Sequence, residues 1–202
     1  MPKGEVERLL GTFDPRRPRE LRDLAIATLL FANGLRVSEV AGLRRSQVGR
    51  EEGHPVIELS GKGGSRTRTT LRPEVAKLLE THIAKNAPHG EYLFRAMPRN
   101  PRHFEREGRD PRTRPISTHS IEKMLKRAAR KARLDPRRVR PHAGRVFFVT
   151  EAYEATGDLE RVSRGVGHED LSTTRGYLRY LDTAGKHPAL ALPALTPKRP
   201  TP

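Results

Sequence analysis

The sequence contains no cysteine, few aromatic residues (5% of 202 positions) and no long hydrophobic run. Without cysteine, disulfides, thiolate metal sites and a cysteine nucleophile are all excluded. The opening residues, MPKGEVERLL, lack the apolar region of a secretion signal. The longest apolar stretch, from Leu24 to Ala32, is too short to span a bilayer. We therefore expect a cytoplasmic protein whose core is built mainly from Leu, Val, Ile and Ala.

Positive charge dominates the composition. Forty Lys and Arg residues face 24 Asp and Glu residues, which leaves a formal net charge of +16 at pH 7. Such an excess favours a polyanionic partner, because neutralising phosphates releases their condensed counterions. A ribosomal-type protein or a merely very soluble surface would have the same composition, so charge alone does not choose among these classes.

Hydrophobic patterning in the first half of the chain predicts helices and one hairpin. A buried helix is predicted from Glu20 to Asn33, with Gly34 as its stop, and a short helix from Arg36 to Leu43. Two β-prone runs, 56–59 and 66–71, flank a Gly-rich turn and predict a hairpin with Lys62 near its tip.

After the hairpin, Pro73 opens a helix. Residues 97–115 have no apolar period and are predicted to form an exposed basic loop. Ser117 or Thr118 then caps an amphipathic helix. Its predicted apolar face consists of Ile121, Met124, Leu125, Ala128 and Ala132. Its basic face, predicted to contact DNA phosphates if the partner is DNA, consists of Lys123, Lys126, Arg127, Arg130 and Lys131.

Three more helices complete the prediction. A buried helix runs from His142 to Thr156 and ends at Gly157, a shorter one follows from Asp158, and another runs from Leu171 to about Leu181. The whole pattern predicts a mixed, mainly α domain with a small antiparallel β-sheet. We expect a lead-in over residues 1–19, one domain over 20–182 and a Pro/Ala-rich C-terminal tail over 183–202.

Six chemically capable side chains stand at suggestive positions. Arg36 follows Gly34-Leu35, Lys62 lies on the glycine turn, and His142 and Arg145 are one helical turn apart and share a face. His168 follows Gly-Val-Gly, and Tyr177 comes nine residues later. Each alone has an ordinary structural explanation, such as a surface cation, a cap or a core tyrosine. Tyr180, almost one turn after Tyr177, is a rival nucleophile.

The segments that carry these residues resemble those of tyrosine recombinases. GLRVSEVAGLRRSQV is similar to their first arginine segment, and IELSGKGGSRTRTTLRPEV is similar to their lysine hairpin. RPHAGRVFFVTEAYEATGDLERVSRGVGHEDLSTTRGYLRY resembles their His-x-x-Arg helix, Gly-His turn and nucleophile helix. Order and spacing match over roughly residues 20–182, and four motifs in the right order are a specific signal.

The resemblance implies the catalytic domain of a site-specific recombinase that cleaves and rejoins duplex DNA through a 3′-phosphotyrosine. Tyr177 would be the nucleophile, while Arg36 and Arg145 hold the non-bridging phosphate oxygens and His168 adds a hydrogen bond. His142 would be the general base and Lys62 the general acid. Glu39 would brace the arginine segment. The chemistry needs no ATP, metal or other cofactor.

The sequence also departs from the family pattern. Gly144 and Val146 stand where leucine and histidine are common, and Val166 stands where leucine is usual. Glycine inside a helix costs about 1 kcal/mol relative to alanine, so we expect weaker local packing there. The first 17 residues are also too few to supply the N-terminal DNA clamp of full-length relatives.

The implied partner is double-stranded DNA, with the protein nucleoid-associated when bound. A monomer in solution and a tetramer on synapsed DNA are expected, with 187–195 as a candidate docking segment or a disordered tail. Three alternatives stay open: a DNA-binding relative without recombination activity, a basic nucleic-acid-binding module, and a type IB topoisomerase-like enzyme that relaxes supercoils.

Overall fold

The computed structural model describes residues 1–60, 66–86, 90–97, 113–167 and Gly176. Its helices are α1 (Lys3–Leu10), α2 (Pro18–Ala32), α3 (Val37–Gly42), α4 (Pro73–Asn86), α5 (Thr118–Lys131), α6 (Pro141–Thr156) and α7 (Leu159–Gly165), with a short 3-10 helix at Arg45–Gln47. Its strands are β1 (Val48–Glu51), β2 (His54–Ser60) and β3 (Arg66–Thr70). Several predictions fall outside the described residues: Lys62, His168, Tyr177, Tyr180, most of the 97–115 loop, the 171–181 helix and the tail with its 187–195 segment.

The predicted fold class is confirmed. The described residues are mostly helical, and their three strands form one antiparallel sheet in the order β1-β2-β3. The predicted hairpin is β2 and β3, which pair from Val56↔Thr70 to Ser60↔Arg66. Strand β1 was not predicted, because its sequence VGRE has no apolar alternation. Within the described ranges, no helix is long and apolar enough to cross a membrane.

Helix α2 is the centre of the core. It is apolar on most sides, and Ala25, Ile26, Leu29 and Leu30 are completely buried. A helix that is hydrophobic nearly all round must be covered on all sides, and α2 contacts α1, α3, α4, α5 and α6. This central position fixes where the chain emerges after α2, at the segment that leads to Arg36.

Helix α1 lies in the stretch that was assigned to the lead-in and was not predicted. Val6 and Leu9 are buried in the main core, and α1 contacts α2 and α5. The helix was not predicted because two apolar core residues among charged ones give too weak a helical hydrophobic period. The division at residue 19 stays a prediction.

The predicted cap of α5, the predicted stop of α6 and the predicted start of α7 near Asp158 are confirmed. The Ser117 hydroxyl accepts from the Ser120 N–H at 3.2 Å at the start of α5. Gly157 ends α6 in the left-handed region (φ 67°). The Asp158 carboxylate accepts from the Arg161 N–H at 2.9 Å at the start of α7. The predicted apolar face of α5 is buried at four positions and partly buried at Ala132.

The expectation of weak packing at Gly144 is wrong. Gly144 is buried where α6 crosses α2, and a Cβ atom there would lie 2.7 Å from the Leu30 carbonyl oxygen. Because only a glycine lets the two helices approach this closely, the contact outweighs the propensity cost. Val166 is also buried, in a small cluster with Val149 and Val162.

A buried polar network anchors the end of α4. His82 Nε2 donates to the Leu93 carbonyl oxygen (3.0 Å), and its Nδ1 accepts from Asn86 Nδ2 (3.1 Å). Asn86 Nδ2 also donates to the Pro18 carbonyl oxygen at 2.7 Å. Burial, the largest cause, lowers the pKa of His82, and the hydrogen bond to Leu93 opposes that shift. These contacts hold the neutral imidazole in a single tautomer.

Candidate active site

The turn after α2 delivers Arg36 to the start of α3. Gly34 has φ 63°, and a Cβ atom there would lie 2.7 Å from Cδ1 of Phe148 on α6. Glycine is therefore needed both for the backbone conformation and for the close approach to α6. Arg36 follows two residues later as the residue that caps α3.

Glu39 holds Arg36 at two points. Its Oε2 accepts from the Arg36 backbone N–H at 2.6 Å, and its Oε1 accepts from Arg36 Nη1 at 2.7 Å. The Arg36 side chain is still 48% exposed. Its remaining guanidinium donors make no hydrogen bond to any other residue that the structure describes. The predicted bracing residue thus contacts the arginine directly and leaves its fork open to an anion.

Arg145 is buried in α6 and joins two segments of the site. Its Nη1 donates to the Gly34 carbonyl oxygen at 2.7 Å, and its Nη2 donates to the Val166 carbonyl oxygen at 2.6 Å. Gly34 lies two residues before Arg36, and Val166 lies two residues before His168. The guanidinium therefore ties the Arg36 segment to the segment that leads into His168.

His142 lies on the same helix as Arg145. Pro141 is the first residue of α6, and its fixed φ suits a helix start. His142 is exposed, whereas Arg145, one turn later, is only 4% exposed. The helix thus presents an imidazole to solvent and an arginine to the protein interior.

The hairpin lies beside the turn that precedes His168. Gly167 has φ 64°, and a Cβ atom there would lie 3.2 Å from Cγ2 of Thr67. Thr67 pairs with Leu59 near the base of the turn that contains Lys62. The described neighbours of Lys62 and His168 therefore lie together, although those two residues and Tyr177 lie outside the described ranges.

The basic face predicted on α5 is present. All five cations are exposed. One differs from the rest, since Lys131 Nζ lies 3.8 Å from the Glu20 carboxylate. Sequence reasoning missed Phe148, Thr67 and the two backbone carbonyl oxygens that hold the site together. The available clues were Gly34, which had been interpreted only as a helix stop, and Gly167, which had been interpreted only as part of the Gly-His motif.

Comparison with known proteins agrees with this arrangement. The model of the phage integrase family matches residues 1–183. Tyrosine recombinase XerD of Yersinia pestis is 32% identical over 178 residues, covering 87% of this chain and 55% of XerD. The chain thus spans about half the length of that relative.

Two solved structures share the fold. The crystal structure of XerA recombinase matches with a TM-score of 0.75 and 23% identity, covering 96% of this chain and 66% of XerA. The XerH site-specific recombinase bound to its difH substrate matches with a TM-score of 0.71 and 18% identity, covering 95% of this chain and 53% of XerH. Since the family model extends over almost the whole sequence, the predicted relationship is confirmed, and the chain belongs to the phage integrase family.

Proposed function

We propose that this chain is the catalytic domain of a site-specific recombinase that cleaves and rejoins duplex DNA through a covalent 3′-phosphotyrosine at Tyr177. The observation that carries the proposal is the pair of hydrogen bonds from Arg145 to the carbonyl oxygens of Gly34 and Val166. They join the Arg36 segment to the one that leads into His168. The named recombinase relatives support the same activity.

In the cleavage step, the Tyr177 hydroxyl oxygen forms a bond to phosphorus while the bond from phosphorus to the 5′ oxygen breaks. A tyrosine hydroxyl has an ordinary pKa of about 10, so its proton must be accepted, and we assign His142 as the base. The leaving 5′ oxygen takes a proton from Lys62. The 3′-phosphotyrosine keeps the energy of the phosphodiester, and attack by a 5′ hydroxyl reverses both bond changes and rejoins DNA.

The pentacoordinate transition state carries extra negative charge on the non-bridging oxygens. Arg36 is suited to that charge, because its guanidinium group stays protonated and presents paired donors. We assign the same role to Arg145, which also gives two of its five N–H donors to the carbonyl oxygens of Gly34 and Val166. Arg36 has open donors beside Glu39. His168 is assigned a further hydrogen bond. Removing one such donor in other enzymes lowers kcat about 10²–10³-fold, so Arg36→Ala should lose cleavage by a similar factor.

The substrate that we propose is double-stranded DNA. XerH was solved bound to difH substrate, and the exposed cations of α5 lie on one face that suits a phosphate backbone. We further propose a monomer in solution and a tetramer on synapsed DNA, in which residues 187–195 dock on a neighbouring copy.

A suicide duplex tests the function. A nick beside the cleavage point lets the short 5′-hydroxyl fragment escape, so a covalent protein–DNA adduct accumulates. Duplexes that tile the protein's own genomic flanks are incubated with it, denatured and separated by electrophoresis. Wild type should give an adduct, and Arg145→Ala should lose it. DNA binding without an adduct on any duplex would instead identify a non-recombining relative.

The role of Lys62 has its own test. Replacing the bridging 5′ oxygen by sulfur provides a thiolate leaving group, which needs little protonation because a thiol has a pKa of about 8.5. Lys62→Ala should therefore be slow on the oxygen substrate and near wild type on the sulfur substrate. Equal defects on both substrates would show that Lys62 is not the general acid.

A further inference from the structure

A groove lies between α5 and the loop of residues 132–140 that leads into α6. Its volume is about 430 Å³. The α5 wall carries Lys126 and Arg130, and the loop wall carries Arg137 and Arg140. Glu122 is the acidic residue of the lining. We call this feature the basic groove.

Three of its four cations are not neutralised by a carboxylate. Arg137 donates from Nε and Nη2 to the Asp135 carboxylate at 3.0–3.1 Å, so its charge is compensated. Arg140 Nε donates to a neutral acceptor, the Arg137 carbonyl oxygen, at 3.0 Å. Across the ranges that the structure covers, Lys126, Arg130 and Arg140 form no ion pair.

Two neighbouring cations outside the basic groove are paired with carboxylates. Arg138 Nη2 lies 3.3 Å from the Glu5 carboxylate, and Lys131 Nζ lies 3.8 Å from the Glu20 carboxylate. Lys123 and Arg127 have no carboxylate partner within the described ranges, but they do not line the groove. Uncompensated charge therefore converges on the groove from two walls.

We propose that the basic groove binds one backbone phosphate of the DNA, held by Lys126, Arg130 and Arg140, and that this phosphate is not the one that is cut. The inference rests on the proposed function for the identity of the anion. It adds Arg140 to the DNA interface and assigns Lys131 to a structural pair instead. Two guanidinium groups and one ammonium suit a phosphate, because their donors approach its oxygens from two sides.

The position of the groove suits a strand that reaches the catalytic residues. Arg140 lies two residues before His142, and Pro141, the first residue of α6, also lines the groove. The groove therefore adjoins the start of α6, the helix that carries His142 and Arg145. A phosphate contact there fixes the register of the duplex and reads no base.

Binding of the full chain to a short random-sequence duplex, measured over a range of salt concentrations, tests the proposal. Lys126→Gln, Arg130→Gln and Arg140→Gln should each make the slope of log K against log salt shallower, by at most about 0.9, because the three cations share a single phosphate. Glu122→Gln should tighten binding about two- to fivefold, because it removes a repelling carboxylate. A merely damaged surface would not gain affinity.

Two matched controls carry the same charge change elsewhere. Lys77 and Lys85 are both exposed on α4, away from the groove, and each is replaced by Gln. Both should change the slope less than the groove variants do. Equal slopes in groove and control variants would overturn the proposal, since net charge alone would then explain the binding.

Adduct formation is measured in parallel at protein concentrations that saturate the duplex. An adduct together with unchanged slopes in the groove variants would overturn the proposal that the basic groove binds a phosphate, while the proposed recombinase function would stand. Shallower slopes in those variants without any wild-type adduct would support phosphate binding in the groove and contradict the proposed cleavage function. The two proposals therefore fail separately.

Discussion

Replacing Gly144 by alanine tests how α2 and α6 hold the site. Helix propensity alone predicts a gain of about 1 kcal/mol. The structure predicts a loss, because the new Cβ atom would lie 2.7 Å from the Leu30 carbonyl oxygen and 3.0 Å from the carbonyl carbon. Overpacking costs about 1–3 kcal/mol, and backbone atoms cannot rotate away as a side chain can. The cost should therefore fall in the upper part of that range, at about 2–3 kcal/mol, which leaves a net loss of about 1–2 kcal/mol after the propensity gain.

Gly42→Ala is the matched control. Gly42 is the exposed last residue of α3, and a Cβ atom there meets nothing within 4 Å. This variant should gain about 0.4–1 kcal/mol. In thermal unfolding, Gly144→Ala should lower Tm by about 2–8 °C, while Gly42→Ala should raise it slightly.

The Gly144→Ala variant should also cleave DNA more slowly, because the neighbouring Arg145 would be displaced from the Gly34 carbonyl oxygen. Equal or greater stability of Gly144→Ala than of Gly42→Ala would refute the close-contact reasoning.

Two further predictions concern Glu39 and His82. Glu39→Gln weakens a charge-assisted contact worth about 1.5–3 kcal/mol, so cleavage should slow about tenfold or more while duplex binding changes little; an equal loss of binding would contradict a positioning role. The lowered pKa of His82 means that folding favours its neutral form. Its stabilisation is full above the ordinary histidine pKa of about 6.5 and is lost as pH falls below it. Urea titrations should show that loss, and His82→Leu should flatten it; an unchanged profile in the variant would place the effect elsewhere.

The helices were predictable where local signals agree with tertiary packing. The apolar run of α2, the Ser117 cap of α5 and the Gly157 stop of α6 all act within a few residues of chain. Helix α1 and strand β1 escaped prediction, because each is short and mostly polar and is held by neighbours that are distant in sequence. At Gly144, helix propensity led to a wrong prediction of weak packing, since the close contact with Leu30 on α2 outweighs the propensity cost of glycine.

For the site, the sequence supplied the candidate residues but not the contacts between them. The order of motifs pointed to Arg36, Glu39 and Arg145. The acceptors of Arg145 are backbone carbonyl oxygens, which any residue type provides, so no sequence pattern marks them. Ion pairs also cannot be predicted from the sequence. Lys131 pairs with Glu20, whereas Lys126, on the same predicted face, has no carboxylate partner among the described residues.

The most direct test of the central claim is to identify the residue that is joined to DNA. The adduct formed with a suicide duplex is digested with protease and nuclease, and the modified peptide is sequenced by mass spectrometry. The account predicts a nucleotide on Tyr177, an adduct that disappears in Tyr177→Phe and an adduct that persists in Tyr180→Phe. A nucleotide on Tyr180, or an adduct that survives Tyr177→Phe, would contradict it.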